Sequence, residues 1–257
     1  MSWDPQIYLA FDDHRTRPAI ELLARVRHAA PRTIVDLGCG PGNSTALLAD
    51  RWPDATLTGL DSSPEMLERA QTSGVSADWL EADINTWKAA CPPDVIFSNA
   101  ALQWLDRHDV LFARMVAQLA PGGVLAVQMP RNFDAPSHTL LRDTVTEWCA
   151  ATGDPSLAAL VRHDPVAAPQ VYHRMLAPLV ARTDIWETTY TQVLSGDDAV
   201  LAWTSATALM PFTSALHGTA RDDFVGLYRD KLADAYPREP DGTTLFAFKR
   251  IFIVAAL

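Results

Sequence analysis

Lysine and cysteine are scarce in this 257-residue chain, and no stretch of it stays apolar for long. Only 3 Lys stand beside 18 Arg, and against 31 Asp and Glu they leave a formal net charge of −10. Non-specific affinity for nucleic acid comes from clustered Lys and Arg meeting phosphates, so this balance argues against a nucleic-acid partner. It leaves room for local cationic pockets, because arginine is the better fork for carboxylates. Cys39, Cys91 and Cys149 are odd in number, widely separated, and without a CxxC pair or a histidine at ligand spacing. Neither a disulfide framework nor a metal site is expected, and a reducing compartment is. No run approaches the roughly 18 apolar residues of a membrane span. Residues 1–5 show no basic opening to a signal peptide, so the chain is expected to be cytoplasmic with no membrane partner.

What is present is an ordinary globular composition, 48% hydrophobic and 20% charged, with no acidic or basic block, internal repeat or low-complexity segment. A sizeable buried core is therefore expected. Residues 33–37 form a β-branched apolar run ending in glycines, the pattern of a strand buried on both faces. Residues 44–51 read as a helix stopped near Trp52-Pro53. A second strand is expected over 55–60, followed by a helix with Ser63 as its cap and Pro64 at its first position. Further strands are expected at 79–84, 94–99 and 124–129. After Pro130 the rhythm changes to helices near 137–151 and 168–181, a strand at 185–194, helices across 197–236, and a last strand at 245–255.

Alternation of this kind calls for an α/β fold: a doubly wound, mostly parallel seven-stranded sheet with right-handed crossovers and a helical cap. One domain over 1–257 is expected, comprising an N-terminal helical lid (1–30), a cofactor-binding half (31–130), and the remaining strands with an inserted helical cap (131–257). Ligands of such sheets sit at the carboxyl ends of the strands.

The strongest chemical signal is the run Asp36-Leu37-Gly38-Cys39-Gly40-Pro41-Gly42-Asn43 at the end of the first strand, spaced GxGxG and not GxGxxG. Glycine lets backbone turn sharply and approach a flat ligand, and the helix N–H groups beyond can receive a carboxylate. An acid two residues before the first glycine would repel a pyrophosphate but suits a ligand bearing an ammonium and a sulfonium, which S-adenosylmethionine does. Asp61, 25 residues beyond Asp36 and followed by Ser62, is placed to accept hydrogen bonds from both ribose hydroxyls. Asp83 is placed to accept from an adenine amino group, Ile84 to offer its backbone N–H, Met66 to pack on the ring, and Asn99 to hold the methionine moiety or a substrate. Cys39 reads as a small buried residue and not as a nucleophile. An NAD-dependent oxidoreductase is disfavoured by the glycine spacing and by Asp36.

These residues, with Ala82-Asp83-Ile84 and Leu119-Ala120-Pro121-Gly122-Gly123-Val124, resemble the class I, Rossmann-like methyltransferases over roughly residues 30–130. Segments spread over most of the chain, among them Tyr8-Leu9-Ala10-Phe11, Leu102-Gln103-Trp104-Leu105 and Leu245-Phe246-Ala247-Phe248, are similar to the trans-aconitate 2-methyltransferase branch. The resemblance implies methyl transfer from S-adenosylmethionine to one carboxylate of a small tricarboxylate, with S-adenosylhomocysteine as product. Another small acid, a quinone precursor or an amine stays open as acceptor, and so does a binding module that kept the fold.

A carboxylate is already ionised at neutral pH, so no general base is nominated and catalysis is expected to lie in positioning. A trianion needs forked cationic contacts, for which Arg15, Arg17, Arg131 and Arg174 are the candidates, with His14 behind them. Tyr8, Gln103, Trp104 and Trp203 are nominated for hydrogen bonds and an aromatic wall around the methyl group.

Overall fold

The computed structural model describes residues 16–163, 165–205 and 207–257. Its strands are β1 (Thr33–Leu37), β2 (Thr56–Asp61), β3 (Asp78–Glu81), β4 (Val95–Asn99), β5 (Val124–Pro130), β6 (Arg182–Leu194) and β7 (Thr244–Ala256). Helices among the described residues are α1 (Thr16–Arg25), α2 (Asn43–Arg51), α3 (Pro64–Gln71), α4 (His108–Gln118), α5 (Pro136–Thr152), α6 (Pro169–Leu176), α7 (Ala199–Ser205), α8 (Met210–Ala215) and α9 (Gly218–Ala235).

The strands form one seven-stranded sheet in the order β3-β2-β1-β4-β5-β7-β6. β1 through β5 pair in parallel, and β7 runs antiparallel to β5. The expected doubly wound, mostly parallel architecture is thus the observed one. β1, β4 and β5 are almost wholly buried, as strands covered on both faces must be. Asp94 fixes the shared start of β1 and β4: its Oδ2 accepts from the Arg32 N–H at 2.7 Å and the Thr33 N–H at 3.1 Å. Those bonds hold its carboxyl below the usual range.

Several boundaries differ from expectation, β6 beginning at Arg182 and not at 185, and two of the differences have a clear local reason. β3 stops at Glu81 and not at 84, because Asp83 turns the chain: its carboxylate accepts from the Asn85 N–H at 2.8 Å and its carbonyl from those of Thr86 and Trp87. The helix expected to reach 181 ends at Leu176, since Pro178 has no N–H to continue it and Leu179 turns back onto the Leu176 carbonyl. The expected cap on α3 is present, Ser63 at its N-terminus receiving the Met66 N–H with Pro64 in the first turn.

Contacts divide the chain into two units, Met1–Pro130 with Pro165–Thr188 and Arg250–Leu257, and Arg131–Asp164 with Thr189–Lys249. In the first, α1 packs on β5 and α2 through Pro18, Ala19, Ile20, Leu22 and Leu23. The carbonyls of Leu23 in its last turn and of Val26 just beyond it accept from the Arg51 guanidinium, which satisfies groups that a helix end leaves open. The second unit has its own core, in which Leu141 and Val145 of α5 meet Phe224, Tyr228 and Leu232 of α9 and Phe246 of β7. Each such side chain contributes roughly 1.5–3 kcal/mol by leaving water. Ser137 ties the two helices polarly, its carbonyl accepting from the Tyr228 hydroxyl at 2.6 Å.

Candidate cofactor site

The order 3-2-1-4-5 reverses direction between β1 and β4, and a crevice opens at the carboxyl ends of strands where winding reverses. A cavity of about 600 Å³, its open mouth included, lies there. Gly38, Cys39, Gly40 and Pro41 from the turn after β1 line it, with Asn43, Ser44 and Leu47 of α2, Asn99 at the end of β4 and Ala100 beyond it, and Thr16 and Ala19 of α1.

The glycine turn is pinned from three sides. Gly38 and Cys39 both donate their N–H groups to the Leu60 carbonyl, at 2.7 and 3.0 Å, which ties the turn to the end of β2. Gly38 has φ +70°, and a Cβ there would lie 2.2 Å from the Ala101 side chain, so no other residue fits. Gly40 has φ +54° with nothing within 4 Å of its absent Cβ, so its open flank is the part of the turn that a flat ligand can approach. Beneath the turn Trp79 fills a slot between Gly59 and Gly42, where added Cβ atoms would meet its ring at 2.4 and 3.0 Å.

Asp61 joins the turn to β2 electrostatically. Its Oδ2 accepts from the Gly40 N–H at 2.9 Å and its Oδ1 from the Ser63 N–H at 2.9 Å. Each oxygen keeps a further lone pair, and the residue is half-buried. Asn99 lines the cavity with its Oδ1 buried and without a hydrogen-bond partner, an acceptor for a ligand donor.

Asp36 is placed differently from the sequence expectation. It is 1% exposed and does not line the cavity; its Oδ2 accepts from the Ser44 and Thr45 hydroxyls at 2.7 and 2.8 Å, bracing the first turn of α2 from behind. Burial pushes its carboxyl up to about 6, the two hydroxyls oppose the rise and Asp61 adds to it. Burial and the same two acids also push the Cys39 thiol well up, so it is no nucleophile.

Of the remaining cofactor candidates, Gly38, Gly40 and Asn43 line the cavity; Ser62 is exposed and Met66 half-buried at the start of α3. Asp83 and Ile84 lie in the turn after β3, where one Asp83 oxygen is engaged in shaping that turn. Thr16, Ala19, Leu47 and Ala100 were not foreseen. Leu47 follows Asn43 by one helical turn, a signal that sequence carries, whereas Ala100 owes its place to a positive φ of 56°, which nothing in its side chain announces.

None of the described acceptor candidates is among the residues lining this cavity. Tyr8, His14 and Arg15 lie outside the described residues. Arg17 is exposed on α1 and paired with Glu21 at 2.9 Å. Gln103 is buried and donates to the Ala100 carbonyl at 2.6 Å, bracing the turn after β4. Trp104 is 53% exposed. Arg174 is exposed on α6. Arg131 and Trp203 belong to the second unit, Arg131 half-buried at its start and Trp203 packed beside Phe246 and Phe248 at 5.8 Å ring separations. Among the described residues no group of three His, Cys, Asp or Glu is arranged to hold a metal ion, and no helix is long and apolar enough to cross a membrane.

Comparison with known proteins decides the family. The model of a methyltransferase domain matches residues 34–123. The chain is 46% identical over 253 residues to a trans-aconitate 2-methyltransferase of Acidovorax ebreus, covering 98% of this chain and 97% of that one. It is 48% identical over 260 residues to one of Rhodococcus jostii, covering 98% of each. The chain belongs to the trans-aconitate 2-methyltransferase family. It is therefore an S-adenosylmethionine-dependent methyltransferase. Solved structures add the fold alone: the YcgJ protein of Bacillus subtilis superimposes with a TM-score of 0.59 at 15% identity, covering 95% of this chain and 98% of that one.

The residues present suit the family's cofactor. An open glycine flank, a carboxylate with spare lone pairs, an unpartnered amide oxygen and the negative field of Asp36 and Asp61 are what a sulfonium ligand with a ribose and an ammonium requires.

Proposed function

We propose that the protein transfers the methyl group of S-adenosylmethionine to one carboxylate of trans-aconitate, giving the monomethyl ester and S-adenosylhomocysteine. The observation carrying this reading is identity of 44–48% along nearly the whole chain to proteins named for that reaction. When bound, the cofactor supplies an electrophilic methyl carbon. In this reading Asp61 and Ser62 hold the ribose hydroxyls, Met66, Asp83 and Ile84 surround the adenine, and Gly38, Gly40, Asn43 and Asn99 hold the methionine moiety. Asp36 favours the cationic ligand by its field.

The acceptor is a carboxylate, ionised well below neutral pH, so no residue has to remove a proton before the O–C bond forms and the C–S bond breaks. The chain's task is alignment, water exclusion and fixed charge for the acceptor's other carboxylates. We assign that task to residues outside the glycine turn, in 1–30 and 131–257. A cytoplasmic setting fits the three free cysteines.

The test is to incubate the purified protein with S-adenosylmethionine and trans-aconitate and weigh the product. Gain of one methylene, released by mild hydroxide as an ester must be, supports the reading; an alkali-stable product, or none, contradicts it.

A further inference from the structure

Asp83, Ile84 and Asn85 turn the chain just past β3, next to the cofactor site. Ala82 donates its N–H to the Asp61 carbonyl at 3.1 Å, and the Ile84 Cδ1 lies 3.8 Å from where a Cβ on Gly38 would stand. Nearly every polar group of this turn is spent on its own shape. The Asp83 carbonyl accepts from the Thr86 and Trp87 N–H groups at 3.0 and 2.8 Å, and Asp83 Oδ1 accepts from the Asn85 N–H and Nδ2 at 2.8 and 3.1 Å. A trans peptide sets its N–H opposite its C=O, so the Ile84 N–H faces out of the turn. Among the described residues no hydrogen bond leaves that N–H or reaches Asp83 Oδ2. Asp83 is exposed and Ile84 half-buried, so the turn holds one donor and one acceptor for a ligand. The edge of adenine is their complement, since its N1 accepts and its amino group donates.

One side chain from outside the turn holds it. Arg114, in the middle of α4, donates from Nη2 to the Ile84 carbonyl at 2.5 Å and from Nη1 to the Asn85 carbonyl. Gln118, one helical turn further along the same face, accepts from the Ala89 N–H at 2.6 Å. The two side chains lace residues 84–89 to α4. Every other hydrogen bond among the described residues that shapes 83–87 is made within that stretch. The Ile84 carbonyl and the Asn85 N–H belong to one peptide plane, so clamping the first aims the second at Asp83 Oδ1 and leaves Oδ2 for a ligand. A guanidinium is a planar fork and fixes two successive carbonyls together, which a point charge does not.

We propose that Arg114 is a positioning residue for the base of the cofactor: by clamping the Ile84 and Asn85 carbonyls it aims Asp83 Oδ2 and the Ile84 N–H as the pair that selects adenine. The inference rests on the proposed placing of adenine at Asp83 and Ile84. Hypoxanthine reverses the edge, with a donor at N1 and an oxygen in place of the amino group. It sets donor against donor and oxygen against oxygen, which a site built to hydrogen-bond adenine rejects.

The test measures by calorimetry how the parent, Arg114→Met and Arg114→Lys bind S-adenosylhomocysteine and its analogue with hypoxanthine in place of adenine. Circular dichroism and a thermal melt report that each variant is folded. The parent should prefer adenine by on the order of 10²-fold or more. Arg114→Met should lose about tenfold in affinity for the adenine ligand and change by no more than about threefold for the hypoxanthine one, so the preference itself shrinks. Arg114→Lys should fall between, and if the Met variant does not fold, the same unequal losses must be seen with Lys. Equal losses for both ligands, or none, would leave Arg114 no part in choosing the base and overturn the assignment. A parent that binds both bases alike removes the adenine reading of Asp83 and Ile84, and the assignment with it, while methyl transfer to trans-aconitate is judged separately by its product.

Discussion

At the scale of single residues, two acids with the same charge do different work because of what surrounds them. Asp61 spends one lone pair of each oxygen on the Gly40 and Ser63 amides and keeps the rest for a ligand. Asp61→Ala should weaken S-adenosylmethionine binding by about 1.5–3 kcal/mol, the share of two charge-assisted hydrogen bonds. Isothermal calorimetry on a folded variant with unchanged affinity would contradict this. Asp36 has its carboxyl at about 6 by burial, above the ordinary value near 4. Its raised value favours the fold most below pH 4, and that share, about 3 kcal/mol, is lost as pH rises through 6. A cation nearby favours the ionised form, so binding of S-adenosylmethionine near pH 6 should release a fraction of a proton. Calorimetry in buffers of different ionisation enthalpy reads that release, and Asp36→Asn should abolish it; equal release by both proteins would place the titrating group elsewhere.

At the scale of elements, the two glycines of one turn are expected to fail in different ways. Gly38→Ala drives a methyl group into Ala101 at 2.2 Å in a left-handed backbone, so it should cost about 2–4 kcal/mol of stability in urea unfolding. Gly40→Ala carries only the left-handed penalty of about 1–2 kcal/mol, its methyl group meeting nothing, but it occupies the flank that faces the ligand. Its larger effect should be on cofactor affinity, and a variant with parental affinity would move the ligand off that flank.

The same turn shows what sequence can and cannot reveal. The buried strands, the GxGxG run and the Ser63-Pro64 cap are local patterns with local causes, and all were legible. Trp79 is not, because its slot exists only when β3 pairs with β2, bringing Gly59 to its ring, and β2 with β1, whose turn carries Gly42. The pattern places Asp36 among the cofactor residues, but a sequence does not say which side of a turn a carboxylate takes; the Ser44 and Thr45 hydroxyls decide it.

At the scale of the whole molecule, a net charge of −10 and an anionic acceptor are reconciled only by local cationic forks within an acidic protein. Since the attacking oxygen needs no deprotonation, the rate of the chemical step with cofactor saturating should be nearly flat above pH 6. A steep rise centred near pH 8 in single-turnover kinetics would reveal a general base and a different nucleophile. The most direct measurement gives the purified protein methyl-labelled S-adenosylmethionine and equal concentrations of trans-aconitate, other small carboxylates, a phenol and an amine, and ranks kcat/KM by label transferred. The account predicts that trans-aconitate leads, that dicarboxylates follow, and that the phenol and amine take no label. Preferential labelling of the phenol or the amine would contradict it.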